Sequence, residues 1–495
     1  MPFAFTLPTT ASLSFSAYSS STTHPSLPLT ATTYRGVLRN VLKKHKRLPP
    51  KARASNLSTV LSALNDYVPY LLTLDTALNG KTINGEEVEL VLRKEMEVEW
   101  RTTLTATIPR REAPRIKGKG LDYEISFALH TLACVYTLQA RAQLLTLYAA
   151  TTPTTEQRVS IIQTATKHLF QAHSLHTYLS SRTAETDASS AIIETLSQTQ
   201  AGLAALALAE ATLLFVLKDD PYPAVVAQER NKNDKDWMIK PPEIPKVRAH
   251  LFARACLGAA EHAGKAEAML SASGRIDEAL IKYVNDLKRT SRAKACRFFG
   301  IDAELGEETG TGIAWLVGGR KQLGFVSAGE EGSKMKGLAK FKKEWTERRE
   351  DKKIERGGEW GSDAGRLEEL RVIEMLEGKW NKMNDTVFTA HSHWCRRPWL
   401  IYWQTNTQLI PPSDSLVANM PSGREVYPTK PYVPPKLDDD TLARMRAPPD
   451  AAKAETMAGD DDSSSNDENG KGQSSLPGAF PGSFAAASLH DNSYY

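Results

Sequence analysis

The stretch from Gly120 to Ala150, GLDYEISFALHTLACVYTLQARAQLLTLYAA, limits what this chain can become. No Gly or Pro interrupts it after Gly120, and apolar residues recur at three-to-four spacing through Leu121, Ile125, Leu129, Leu132, Val135 and Tyr136. That is the stripe of an amphipathic helix. Ala128, Ala133, Ala140 and Ala142 leave its surface shallow enough for a neighbouring helix to come close. At ~1.5 Å of rise per residue the helix spans roughly 45 Å, so partners of similar length are needed to cover it.

Such partners are legible on both sides. A basic helix is expected near Thr33 to Arg47, ended by Pro49 and Pro50, and a second from Ser55 to Leu78, ended by Asn79-Gly80. Helical spacing also marks Gln157 to Ser181, Ala188 to Leu217, Val247 to Ala272, Glu278 to Phe299, Thr311 to Leu323 and Arg366 to His391. The middle of Ala188 to Leu217, AGLAALALAEATLLFVL, is apolar nearly all round, as for a helix buried between neighbours. Period-two patches at Phe3/Phe5/Leu7 and Leu13/Phe15 predict one or two short strands within residues 1–30, broken by Pro8, Pro25 and Pro28. Glu87 to Leu104 predicts a strand or extended arm ending at Trp100. The fold class is mostly α, an array of helix pairs with a few short β-strands near the N-terminus.

Two charged, Gly- or Pro-bearing stretches, about 220–246 and 329–365, are expected to be surface insertions. After Trp403 the prolines thicken, and the chain is expected to run extended over the surface. One domain is therefore assigned to 1–435. Residues 436–495, rich in Asp, Ser, Gly and Ala, are expected to be a disordered tail.

Net charge is only +4, too small to mark a nucleic-acid binder, but it is unevenly placed. Residues 1–65 contain no Asp or Glu, whereas Arg39, Lys43, Lys44, Lys46, Arg47, Lys51 and Arg53 crowd one interval. That run reads as a solvated face or as a contact for an acidic partner or anionic lipid headgroups. The four cysteines, Cys134, Cys256, Cys296 and Cys395, form no CxxC pair, which points to a reducing, cytoplasmic compartment. No signal segment or membrane span is expected.

Signatures of catalysis are weak. Gly306, Gly310 and Gly312 precede a helix, but no strand leads into them and no Gly-Lys-Ser/Thr follows, so no phosphate cradle is expected. His391, His393 and Cys395 lack a nearby fourth ligand for a tetrahedral metal. His130 and Cys134 lie one turn apart, yet Cys134 sits among Leu132, Ala133 and Val135, where a thiolate is not favoured. No enzyme, metal, cofactor, nucleic acid or small-molecule substrate is expected.

Several patterns along the chain together resemble the Bro-one domain family. Val98-Glu99-Trp100, then Leu121, Tyr123, Glu124 and Leu129, resemble its arm and following helix, with His130 where Asn is usual. Leu208 to Lys218 resembles its helix ending in an apolar-Leu-Lys run, with both usual glutamines replaced. Met383-Asn384-Asp385-Thr386-Val387-Phe388 and the later PPSDSLVANMP resemble its late patterns. The start of the chain and LRNVLKKHKRLPP resemble the fungal pH-signalling branch.

The resemblance implies an elongated, curved domain with a tetratricopeptide-like core. It implies a non-enzymatic adaptor that binds the Snf7-type ESCRT-III subunit at the plasma membrane or an endosomal membrane. It further implies a part, with other pH-signalling proteins, in proteolytic activation of the transcription factor PacC at alkaline pH. Carried over by position, the surface gripping the partner helix is Phe215, Val216 and Lys218, then Leu251, Phe252 and Ala255. Tyr427-Pro428-Thr429-Lys430-Pro431 is similar to a Tyr-Pro-x-Leu ligand but lacks the Leu, and reads as surface packing. The alternative is a general helical-repeat scaffold for a soluble partner, with no membrane role.

Overall fold

The computed structural model describes residues 2–105, 113–148, 154–183, 192–223, 246–273, 276–325, 349, 360–394 and 408–448; for 148, 183, 246–247 and 385–394 only the backbone is described. Among them run the long helices α1 (Leu27–Arg47), α2 (Pro50–Leu78), α3 (Leu121–Leu145), α4 (Thr155–Thr183) and α5 (Ser197–Asp219). After these come α6 (Lys246–Ala272), α7 (Glu278–Glu304), α8 (Thr309–Gln322) and α9 (Arg366–Trp394), with two short helices, α10 (Ser413–Ala418) and α11 (Asp439–Arg444). From α1 to α9 each helix packs on the next described one in sequence, the arrangement expected of stacked helix pairs.

Proline places the first corner. Pro50 opens α2 rather than merely closing α1, because the amide it lacks is one a helix's first turn leaves unpaired anyway. Pro28 sits likewise in the first turn of α1, so that helix begins at Leu27, earlier than expected. The strands are short. β1 (Ser19–Ser20) pairs antiparallel with β2 (Val91–Leu92), and β3 (Glu97–Arg101) with β4 (Arg115–Lys119), Trp100 opposite Ile116. The period-two patch Phe3/Phe5/Leu7 forms no ladder. Phe5 and Leu7 are buried on an extended segment whose one bridge joins Thr10 to Trp100.

Among the described residues three buried apolar clusters underlie this arrangement: α1 to α5 with the N-terminal segment, the end of α6 and the start of α7; α6 to α9 with the end of α5; and a smaller one among α3, α4 and α5. Two buried ion networks tie the larger ones together. In the first, Arg35 of α1 grips Glu124 of α3 with both Nε (2.8 Å) and a terminal nitrogen (3.1 Å). Tyr67 of α2 and Trp100 of β3 each donate to Glu124 at 2.7 Å, and Arg35 also reaches Ala11 O and Thr10 Oγ1. Burial opposes the Arg35 charge, but Glu124 more than restores it. In the second, Arg297 of α7 bridges Asp220 and Glu369 at 2.6 Å each, and Lys294 also donates to Glu369 at 2.6 Å. Glu369 is held below the usual carboxylate range although burial works the other way.

The second network corrects one boundary. Asp220 is a core residue and not the start of a surface insertion; residues 224–245 lie outside the described part. In the other expected insertion Trp360 and Ala364 are buried, and 326–348 and 350–359 lie outside. The domain also does not end at 435. Leu437, Leu442 and Met445 pack into the first core, Ser26 N donates to Met445 O, and Arg446 pairs with Glu86. One compact unit runs from Met1 to Pro449, and residues 450–495 lie outside the described part.

α5 is long and apolar enough to cross a bilayer by composition, but 72% of its apolar window is buried inside the fold. It is a core helix, because its neighbours α4 and α6 cover it on both sides.

Candidate partner-binding face

The end of α5 and the start of α6 carry the six residues expected to grip a partner, and the structure sets these helices side by side. It does not leave all six available. Val216, Phe252 and Ala255 are buried in the second core, Phe252 packed edge-on against Phe298 of α7 at 5.5 Å. As partner contacts these three are corrected: they support the face from below. Phe215, Lys218 and Leu251 are half-buried and stand at the surface. Because α5 is apolar nearly all round, its sequence does not say which side its neighbours cover.

The segment from 408 to 448 also shapes this face. α10 lies on α8, where Lys321 meets Asp414 at 3.2 Å. The chain then crosses α6 at a contact between two glycines, where a Cβ on Gly258 would lie 2.7 Å from Arg424 O and one on Gly423 2.4 Å from Gly258 N. Arg424 N donates to Arg254 O and Gly423 N to Glu261 Oε1. Beyond the crossing, Tyr427 rests edge-on against Phe215 (5.8 Å) and Phe170 (4.8 Å), and Tyr432 packs at a tilt on Tyr178 (5.3 Å). Tyr427 thus packs on the surface as expected, but on the very residue expected to meet a partner. The two glycines went unread in the sequence, since what each touches lies more than a hundred residues away.

The basic run occupies the last turns of α1 and the first turn of α2. Lys44, Arg47, Lys51 and Arg53 are exposed, and Arg39, Lys43 and Lys46 half-buried. Part of its role is local. Lys44, Lys46 and Arg47 in the last turn complement the negative end of the helix, and Arg53 donates to Leu48 O and Lys46 O at the corner.

The groups considered for catalysis have packing roles. Cys134 Sγ and His130 Nε2 stand 3.6 Å apart in the core. Burial pushes the thiol up and lowers His130 to about 3, the opposite of an activated thiolate pair. Gly312 lets α8 cross α7 closely, a Cβ there lying 3.1 Å from Gly300 O, and Gly310 abuts Gln408. No group of three or more His, Cys, Asp or Glu able to hold a metal occurs among the described residues. The side chains of His391 and His393, and all of Cys395, fall outside them.

No protein-family model matches the chain. Among solved structures it is similar to ALIX in complex with the SIVmac239 PYKEVTEDL late domain, with TM-score 0.52 and 12% identity over 88% of this chain and 49% of that one. A complex of the ALIX BRO1 domain with CHMP4C is similar at TM-score 0.47 and 13% identity, over 87% and 95% of the two chains. The fold is thus similar to that of ALIX, and the buried Trp100–Glu124 pair joins two of the patterns by which the sequence resembles the Bro-one family. At closer range, the chain is 46% identical to the pH-response regulator protein palC of Emericella nidulans, over 533 residues and 100% of both chains. The chain belongs to the palC family of pH-response regulators.

Proposed function

We propose that this protein is a non-enzymatic adaptor of ambient-pH signalling. It holds a Snf7-type ESCRT-III subunit at the plasma membrane or an endosomal membrane, and so supports proteolytic activation of PacC at alkaline pH. The observation that carries the reading is the full-length match, at 46% identity, to a protein named as a pH-response regulator. A face with half-buried apolar side chains beside a cation fits an amphipathic helix, which presents an apolar stripe flanked by charge. Leu251 supplies the apolar part and Lys218 the polar edge, with Phe215 beside them under Tyr427. Lys44, Arg47, Lys51 and Arg53 add attraction to an anionic membrane, at about 1 kcal/mol for each residue close to the surface.

The test is calorimetry of the full chain with a synthetic C-terminal helix from the Snf7-type subunit. Micromolar binding is expected, at least tenfold weaker for Leu251→Asp with far-UV helicity unchanged. Absence of binding by the folded wild type removes the ESCRT-III partner and returns the protein to a scaffold for some other partner. Unchanged binding by Leu251→Asp moves the partner to a different face.

A further inference from the structure

The stretch YPTKPYVPPK, Tyr427 to Lys436, carries prolines at 428, 431, 434 and 435. Each proline fixes its own φ at about −65° and keeps the residue before it in the extended region. Between Tyr427 and Pro435 only Thr429 and Tyr432 escape both constraints. These constraints favour the polyproline II helix, which repeats every three residues and makes no internal hydrogen bonds. Residues 420–438 accordingly form neither helix nor strand, and the backbone of 425–436 makes no hydrogen bond among the described residues.

Both ends of this stretch are fixed. Upstream, Gly423 and Arg424 bond to α6; downstream, Leu437 is buried in the first core and its carbonyl accepts from Asn84 Nδ2 at 2.9 Å. Between them the chain bridges a cavity of about 300 Å³ above α2, α3 and α4, with Tyr432 seated on Tyr178. A three-residue repeat sorts 430–436 into three edges. Tyr432 and Pro435 share one, and Tyr432 ties it to α4. Lys430, Val433 and Lys436 share the second, and all three are exposed, Val433 at 78%. Pro431, exposed, and Pro434, half-buried, share the third. Neither lysine makes an ion pair among the described residues.

Proline-recognition domains grip such a helix by taking its edges into slots between aromatic side chains. Pro431 and Pro434 stand one turn apart, and Lys436 follows two residues later. That order calls for two aromatic slots and then an acidic pocket. We propose that residues 430–436 are a docking segment for a domain of the SH3 class. Lys430-Pro431 and Val433-Pro434 fill its two slots, and Lys436 enters the acidic pocket. The edge carrying Tyr432 is the one such a domain leaves free, and it is the edge this protein uses to hold the segment down. Because both ends are already fixed, docking costs little further ordering of the chain. This partner is distinct from the helix assigned to the α5–α6 face.

The test titrates a panel of isotope-labelled SH3 domains that prefer Pro-x-x-Pro-x-Lys/Arg ligands with the full chain, followed by NMR. Shifts at the aromatic slots are expected, with micromolar affinity for at least one domain. Pro434→Ala and Lys436→Glu should each weaken binding at least tenfold; Lys436 is exposed, so its variant keeps the fold, as far-UV helicity checks. Thr429→Ala, outside 430–436, should leave binding unchanged. A synthetic peptide of residues 427–438, with loose ends, should bind several-fold more weakly than the full chain. No shift in any domain overturns the proposal. So does binding by the peptide but not by the full chain, which would mean that the fold hides the segment. Wild-type binding by both Pro434→Ala and Lys436→Glu places the contact elsewhere and overturns it too. A loss on Thr429→Ala as large as that on Lys436→Glu overturns the register.

Discussion

Trp100 Nε1 donates to Glu124 Oε2 at 2.7 Å, and neither side chain meets solvent. The bond closes a cluster in which one carboxylate accepts from Arg35, Tyr67 and Trp100, tying β3, α1 and α2 to α3. Removing one partner leaves a buried charge short of donors, which costs more than the bond itself contributes. Trp100→Phe is expected to lower stability by about 2–3 kcal/mol. Glu124→Gln, which leaves the Arg35 guanidinium without its counter-charge, should cost about 3–5 kcal/mol. Urea unfolding of both variants checks the order. Equal and small losses would mean that apolar packing, rather than this cluster, holds the first core.

A second prediction concerns pH. Glu210 of α5 accepts from Tyr283 OH at 2.7 Å and from Phe3 N at 3.1 Å, and burial raises its carboxyl to about 7. The folded state therefore favours the protonated form more than the unfolded chain does. The stability this contributes is full below about pH 4.5 and is lost as pH rises toward about 7. Glu210→Gln keeps an oxygen to accept both bonds and removes the ionisation. The variant should match the wild type at pH 4 and exceed it at pH 8 by up to about 3 kcal/mol. Denaturation midpoints at the two pH values decide it, and a constant difference between variant and wild type would exclude ionisation of Glu210 as the cause.

The third concerns the 408–448 segment. Any side chain at Gly258 meets the backbone of Arg424, so Gly258→Val should lift the segment off α6 and uncover Phe215. Limited proteolysis is expected to cut within 420–436 at least tenfold faster in the variant, with far-UV helicity kept. An unchanged rate would show that α10 at one end and α11 at the other hold the segment without the glycine crossing.

Periodicity was enough for the nine long helices among the described residues because burial of an apolar stripe depends on neighbours along the same helix. It read α3 from Leu121 onward and placed Trp100 at the end of an extended arm, as observed. The candidate face was legible only in outline. Phe215 and Val216 are adjacent and both apolar, yet one stands at the surface and the other in the core. On a helix apolar nearly all round, only the positions of α4 and α6 separate them.

What the sequence by itself determined is the class of structure, a run of long amphipathic helices with short strands near the start, together with the resemblance of its ordered patterns to the Bro-one family. These are carried by residues near one another in the chain. Tertiary structure decided the rest: that Asp220 is a core anion, that residues 436–448 belong to the domain, and that Tyr427 lies on Phe215. Each depends on a partner distant in sequence: Arg297 for Asp220, Ser26 for Met445, and α5 for Tyr427. A buried charge is stable only opposite its counter-charge, and a Pro-rich segment is ordered only against a surface, so neither outcome can be read before the chain has brought the two together.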